Sequence, residues 1–243
     1  KFYPTFSGVA QSYNYYPVSH MKRNQGIAFV ALGLGKTIAE GKKSLRFSPY
    51  YPDIISQYYS SGTLLENSQN EFYALNLDEG KNPMQKGEDN NLYLYNLHNA
   101  EEDGELKYLA SVLDTNDNVL RDSLLSKGPR VLTFSGLLKY NRFPLSDILK
   151  YFLEYGEASL GCPVEIEFAV NLNDDKEDEF SLLQIKPMTI NSFNRSIIDN
   201  DINSKLLFCK SDIVLGEGLI DDIFHIIYVD INNFDISQSN MIA

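Results

Sequence analysis

Two short stretches of this chain carry side chains spaced for chemistry. Val164, Ile166 and Phe168 alternate with Glu165, Glu167 and Ala169, and Leu183 and Ile185 alternate with Gln184 and Lys186 before Pro187. Each reads as a β-strand with one apolar face and one polar face. Residues 171–179 form an acidic loop between them, so the pair reads as a hairpin. If the apolar faces coincide, Phe168 lies opposite Leu183 and Ile166 opposite Ile185. The same register predicts Glu167 opposite Gln184, and Glu165 opposite Lys186. Directly opposed side chains have Cβ atoms roughly 5 Å apart. A carboxylate beside an amide oxygen, with an ammonium one step along, suits Mg²⁺ and a polyphosphate. Magnesium takes hard oxygen ligands, one or two from protein and the rest from phosphate or water. The same residues also suit a plain Glu165–Lys186 ion pair on a solvated face, worth roughly 0.2–1 kcal/mol.

The elements that must position these residues are partly legible. After Pro144, residues Leu145, Ile148, Leu149, Phe152 and Leu153 make one apolar helical stripe, and Gly156 and Gly161 allow the helix to end. Residues 26–34 read as an apolar strand leading into the turn Gly33-Leu34-Gly35. Residues 37–41 suggest a short helical turn, and 44–49 an extended segment. Residues 7–10 form a strand core inside a Tyr/Pro-rich segment. Residues 58–77 are expected to be helical in part, 106–113 and 131–134 to be strands, and 78–91 and 99–104 to be polar breaks. Residues 191–203 are polar and without periodicity, as a linker is. Beyond it, 206–209 and the apolar run 223–229 resemble the opening of another domain.

Bulk composition narrows the function. The 243 residues are 43% apolar, 22% charged and 12% aromatic, enough for a packed core, and the formal net charge is −12. Such acidity argues against nucleic acid and against anionic membranes, so a phosphate ligand needs a local basic site or a metal ion. The two cysteines, Cys162 and Cys209, lie outside any CxxC pattern and read as reduced thiols. With no signal peptide and no apolar run long enough for a membrane span, the expected location is cytoplasmic. The chain starts at Lys1 without a methionine, which suggests a piece of a longer protein. Gly35-Lys36-Thr37 is not a P-loop, because Val30 stands where the Walker pattern needs its first glycine. Residues 174–179 lack the spaced ligands and glycine of an EF-hand and read as a solvated loop tip.

Taken in order, four motifs resemble one family. Ser7-Gly8-Val9-Ala10 is similar to its "(A/S)GV" strand, and Gly33-Leu34-Gly35-Lys36-Thr37-Ile38-Ala39-Glu40-Gly41 is similar to "GLGExVVxG". The 164–169 and 182–187 segments resemble the "(D/E)IE(W/F)A … LQxRP" ending of the ATP-grasp domain in phosphoenolpyruvate synthase and pyruvate phosphate dikinase. The helix before Gly161-Cys162-Pro163 matches the one that leads to that ending. The resemblance spans residues 6–188.

It implies an α+β fold, a mostly antiparallel sheet with flanking helices, as the C-terminal lobe of an ATP-grasp domain over residues 1–190. A linker over 191–204 and a truncated following domain over 205–243 would complete the chain. It further implies ATP and Mg²⁺ as cofactors, with Glu167 and Gln184 as metal ligands. Gly33 and Gly35 join them at the nucleotide, and Lys186 is the catalytic phosphate clamp where the family usually has arginine. Lys36 departs from the family's acidic residue. The implied whole enzyme passes phosphate from ATP through a phosphohistidine to pyruvate. Its partners are the N-terminal half of the ATP-grasp and a phosphohistidine domain. His20, His98 and His225 lack the "TSH" setting of the relay histidine, so the chain alone is expected to be catalytically silent. Rival readings are a dikinase with another acceptor and a non-catalytic nucleotide-binding or interaction module.

Overall fold

Alternation along residues 164–170 becomes the second strand of a five-stranded sheet in a computed structural model. The structure describes residues 1–18, 20–55, 57, 61–77, 91–188, 222–226 and 228. The chain divides into two compact units, Lys1–Asn191 and Ser192–Ala243. In the second, residues 222–226 and 228 carry no regular secondary structure. The expected linker over 191–203, the segment 206–209 read as opening another domain and the loop at 78–90 lie outside the described residues.

The fold of the first unit is mixed α+β, with antiparallel pairing throughout its described sheets. β1 (Phe6–Gln11), β2 (Ile27–Leu32), β3 (Leu45–Phe47), β9 (Val164–Asn171) and β10 (Glu179–Pro187) form the main sheet. Their order is β10-β9-β1-β2-β3. Between β2 and β3 sits α1 (Lys36–Ala39). Two smaller sheets follow. One pairs β4 (Glu71–Leu75) with β5 (Leu92–Asn96); the other orders β6 (Ala110–Asp114), β7 (Val119–Arg121) and β8 (Arg130–Leu132) as β7-β6-β8. The remaining helices are α2 (Ser61–Asn67), α3 (Leu97–Glu102), α4 (Ser135–Leu138) and α5 (Leu145–Leu160).

The apolar stripe of α5 covers one face of the main sheet. Leu145, Leu149 and Leu153 are buried with Val164, Ile166, Phe168 and Val170, while Ile148 and Phe152 pack at the margin. Phe180 stacks on Phe168 and Phe152, at centroid separations of 5.3 and 5.5 Å. Gly156 does not end the helix. A Cβ there would come within 2.7 Å of Ile185 Cδ1, so the glycine marks the close approach of α5 to the sheet. The helix ends at Gly161, whose φ of 68° is one a glycine adopts readily.

Several expectations change. The polar segment 99–104 belongs mostly to α3, because the Asn96 side chain accepts from Asn99 N and caps that helix. The strand expected at 106–113 starts only at Ala110. Residues Glu105–Tyr108 form a 3-10 turn that buries Leu106. The strand expected at 131–134 is Arg130–Leu132, since Phe134 turns left-handed to start α4. The helix within 58–77 is short, and β4 follows it. The acidic loop is exposed over 174–177 and at 179, as expected of a solvated tip, but it is tethered by two ion pairs. Asp178 pairs with Arg142 at 2.6 Å, and Asp174 with Lys107 at 2.9 Å.

Candidate functional site

The face of the main sheet turned away from α5 carries the polar half of each alternation. Val9 pairs with Glu167 and Gln11 with Glu165 across β1 and β9. Across β9 and β10, Gln184 pairs with Glu167, Ile185 with Ile166, and Lys186 with Glu165. These three pairs follow the register expected from the sequence. The fourth does not. Leu182, not Leu183, lies opposite Phe168, and the register shifts between Leu182 and Gln184. Leu183 is the extra residue of a β-bulge. The bulge puts Leu182 opposite Phe168 and Ile185 opposite Ile166, while Leu183 is left unpaired and 64% exposed.

On that face lies a cavity of about 750 Å³. One wall is Glu165, Glu167, Leu183 and Lys186; the floor includes Val9 and Phe29; the far wall is Gly35, Lys36 and Lys42. Small-molecule sites commonly have this size and mix of apolar floor and polar rim. Of the residues singled out in the sequence, Glu165, Glu167, Lys186, Gly35 and Lys36 line the cavity. Gly33 and Gln184 are not among its lining residues. Gln184 is exposed beside Glu167 on β10. Gly33 has a structural task instead. Its φ is 80°, its carbonyl accepts from Ser7 Oγ at 2.7 Å, and a Cβ would meet Tyr73 O at 2.7 Å.

Charges on the near wall are tightly joined. Lys186 Nζ lies 2.8 Å from Glu165 Oε1 and 3.1 Å from Glu167 Oε1. Gln11 Nε2 donates to the other oxygen of Glu165 at 2.6 Å. Burial would raise the Glu165 carboxyl, but the hydrogen bonds from Lys186 and Gln11 outweigh it and hold it below the usual carboxylate range. The bonds to Glu165 and Glu167 raise Lys186 in turn. The plain cross-strand ion pair is therefore present, widened to three charges.

The far wall is held from behind. Lys42 donates to the Tyr73 hydroxyl and pairs with Glu40 at 3.0 Å, while Tyr73 donates to Glu40 at 2.7 Å. Lys36 lies 3.7 Å from Glu40. Glu40 and Tyr73 do not line the cavity, whereas both lysines do. Sequence reading passed over Gln11, Lys42 and Tyr73. Gln11 had a signal, since it continues the alternation of β1, but Tyr73 reaches Lys42 only through the separate β4–β5 sheet.

His20 and His98 stand apart from this chemistry. His98 is exposed on α3 and lies 3.3 Å from Glu102, and His20 meets the Tyr51 ring edge-on at 4.6 Å. Among the described residues, no group of three or more His, Cys, Asp or Glu side chains is gathered for a metal ion. Nor is any described helix long and apolar enough to cross a membrane. Against known proteins, no family model matches this chain and no curated protein matches its sequence.

Proposed function

We propose that this chain contributes the Mg-ATP phosphate-binding half-site of a phosphoenolpyruvate-synthase-like phosphotransferase, as the C-terminal lobe of an ATP-grasp domain. One observation carries the reading. Gly35-Lys36 and the Glu165–Glu167–Lys186 group, remote in sequence, form opposite walls of a single cavity. In a chain of net charge −12, that cavity collects three lysines, Lys36, Lys42 and Lys186. Glu165 and Glu167 line it too, so the lysines exceed the lining carboxylates by one charge.

The donor set suits magnesium chemically. Glu165 and Glu167 offer hard carboxylate oxygens that already converge on a cation, the Lys186 ammonium. A bound divalent ion would offset charge on the transferring phosphate. Glu167, with Glu165 beside it, would hold that ion, while Gln184 is its cross-strand neighbour on the exposed side. Lys186 supplies a point charge to a phosphate oxygen without the fork an arginine would bring. Val9 and Phe29 give the cavity an apolar floor. Pyruvate would receive the phosphoryl group elsewhere in the whole protein, through the histidine of another domain.

A second reading is favoured by the ion triad itself. Lys186 engaged by two glutamates is also what a non-catalytic module would keep. Glu167→Gln and Gln184→Ala, made in the longer protein, separate the two. The phosphotransferase loses ATP turnover by roughly 100-fold or more with Glu167→Gln, whereas a scaffold shows no turnover to lose and keeps its partner.

A further inference from the structure

The cation position of the cavity is filled by the chain's own lysine. Two glutamates from β9 point one oxygen each at Lys186 Nζ, at 2.8 and 3.1 Å. Gln11 fixes the second oxygen of Glu165 from β1, so the nearer carboxylate is held in place. All four side chains line the cavity. The ammonium is thus a stand-in ion in a half-shell of hard oxygens. A divalent ion such as Mg²⁺ bonds oxygen about 1 Å closer than this, a closure within reach of rotations about the glutamate side chains. The two occupants compete, since a divalent cation held by Glu165 Oε1 and Glu167 Oε1 would take the oxygens that Lys186 uses. Charge also favours the exchange. Two carboxylates outweigh one ammonium by a unit charge, and a divalent ion balances them in full. A lysine released in this way keeps a flexible stem, and its side chain is already 45% exposed toward the cavity rim.

We propose that Lys186 is an exchange latch: bound to Glu165 and Glu167 while the cavity lacks metal, it yields them to a divalent cation and turns to the phosphates. This inference rests on the nucleotide reading of the cavity and adds an order to it. Without metal, the lysine is spent on the glutamates and a bare polyphosphate meets no free ammonium on that wall. With metal, the same binding event neutralises the glutamates and frees the lysine, so metal and polyphosphate favour each other through one side chain.

The test uses Mn²⁺ alone, with no nucleotide. Mn²⁺ is titrated into this chain and into Lys186→Met, and binding is followed by water-proton relaxation. Removing the competing ammonium should tighten Mn²⁺ binding at least about tenfold, and adding Glu167→Gln should abolish the gain. Lys186→Gln is a second neutral variant and should show the same gain. Equal or weaker binding by both Lys186 variants overturns the latch. If Mg-ATP still perturbs the cavity in that case, the nucleotide reading survives alone. Failure of every protein to bind Mn²⁺ overturns the latch and the metal assignment together.

Discussion

Asp122 shows how a partly covered carboxylate is kept charged in this protein. Burial alone would raise its pKa, but hydrogen bonds from Lys139, Ser111 and Tyr140 outweigh that and hold it below the ordinary value. The partner distances are 2.8 Å for Lys139 Nζ, 2.7 Å for Ser111 Oγ and 2.9 Å for Tyr140 OH. Ser111 is fully buried and also shares a 2.5 Å hydrogen bond with Thr133. A carboxylate whose folded pKa is depressed stabilises the fold above its unfolded value. That contribution is lost as pH falls through the folded value. Asp122→Asn should therefore cost about 1–3 kcal/mol at neutral pH. The gap to wild type should narrow as pH drops below the usual carboxylate range. Urea unfolding at a series of pH values measures it; a gap that stays constant into acid would refute this role. Glu165 follows the same physics at the cavity wall, with Lys186 and Gln11 as its donors.

Elements position these residues through two kinds of glycine. Gly33 and Gly161 both have positive φ, 80° and 68°, but their surroundings differ. A Cβ on Gly33 would meet the Tyr73 carbonyl at 2.7 Å, whereas at Gly161 nothing lies within 4 Å. Gly161→Ala should cost only the left-handed backbone term, about 1 kcal/mol. Gly33→Ala should cost at least about 3 kcal/mol, because the turn must separate from β4. Thermal unfolding of the two variants compares them directly, and equal losses would contradict the packing described here. The hairpin was legible in the sequence because alternation fixes a strand's faces and hence its partners. Glu165, Glu167, Gln184 and Lys186 follow that register. The bulge at Leu183 was not legible. Strict alternation places Leu183 in the core, but the chain buries Phe168 against α5 with Leu182 opposite it. β4, β5 and β7 were missed because their stabilising contacts are non-local. The β4–β5 pair closes across a long intervening segment, and β7 is three residues of mixed polarity. The α3 cap went unread because Asn96 looked like part of a polar break.

The main sheet of the first unit has two unlike faces. α5 packs on β9 and β1 on one side of the main sheet, and the other side keeps an open cavity lined by Glu165, Glu167 and Lys186 and by Lys36 and Lys42. Gly35 and Lys36 on one wall and Glu167 and Lys186 on the other came from motifs whose order along the chain resembles an ATP-grasp ending. Their arrangement about one cavity depends on β1 lying between β2 and β9, which no local pattern announces. The fold class was readable from amphipathic periodicity; the cavity needed the strand order. The central claim is that this cavity binds the phosphates of a nucleotide with a divalent ion. The most direct measurement is amide NMR of the isotopically labelled chain titrated with Mg-ATP to millimolar concentration. The account predicts weak, saturable shifts clustered at residues 35–42, 165–167 and 183–186, lost in Glu167→Gln. No shifts there, or shifts centred elsewhere and unchanged in Glu167→Gln, would contradict it.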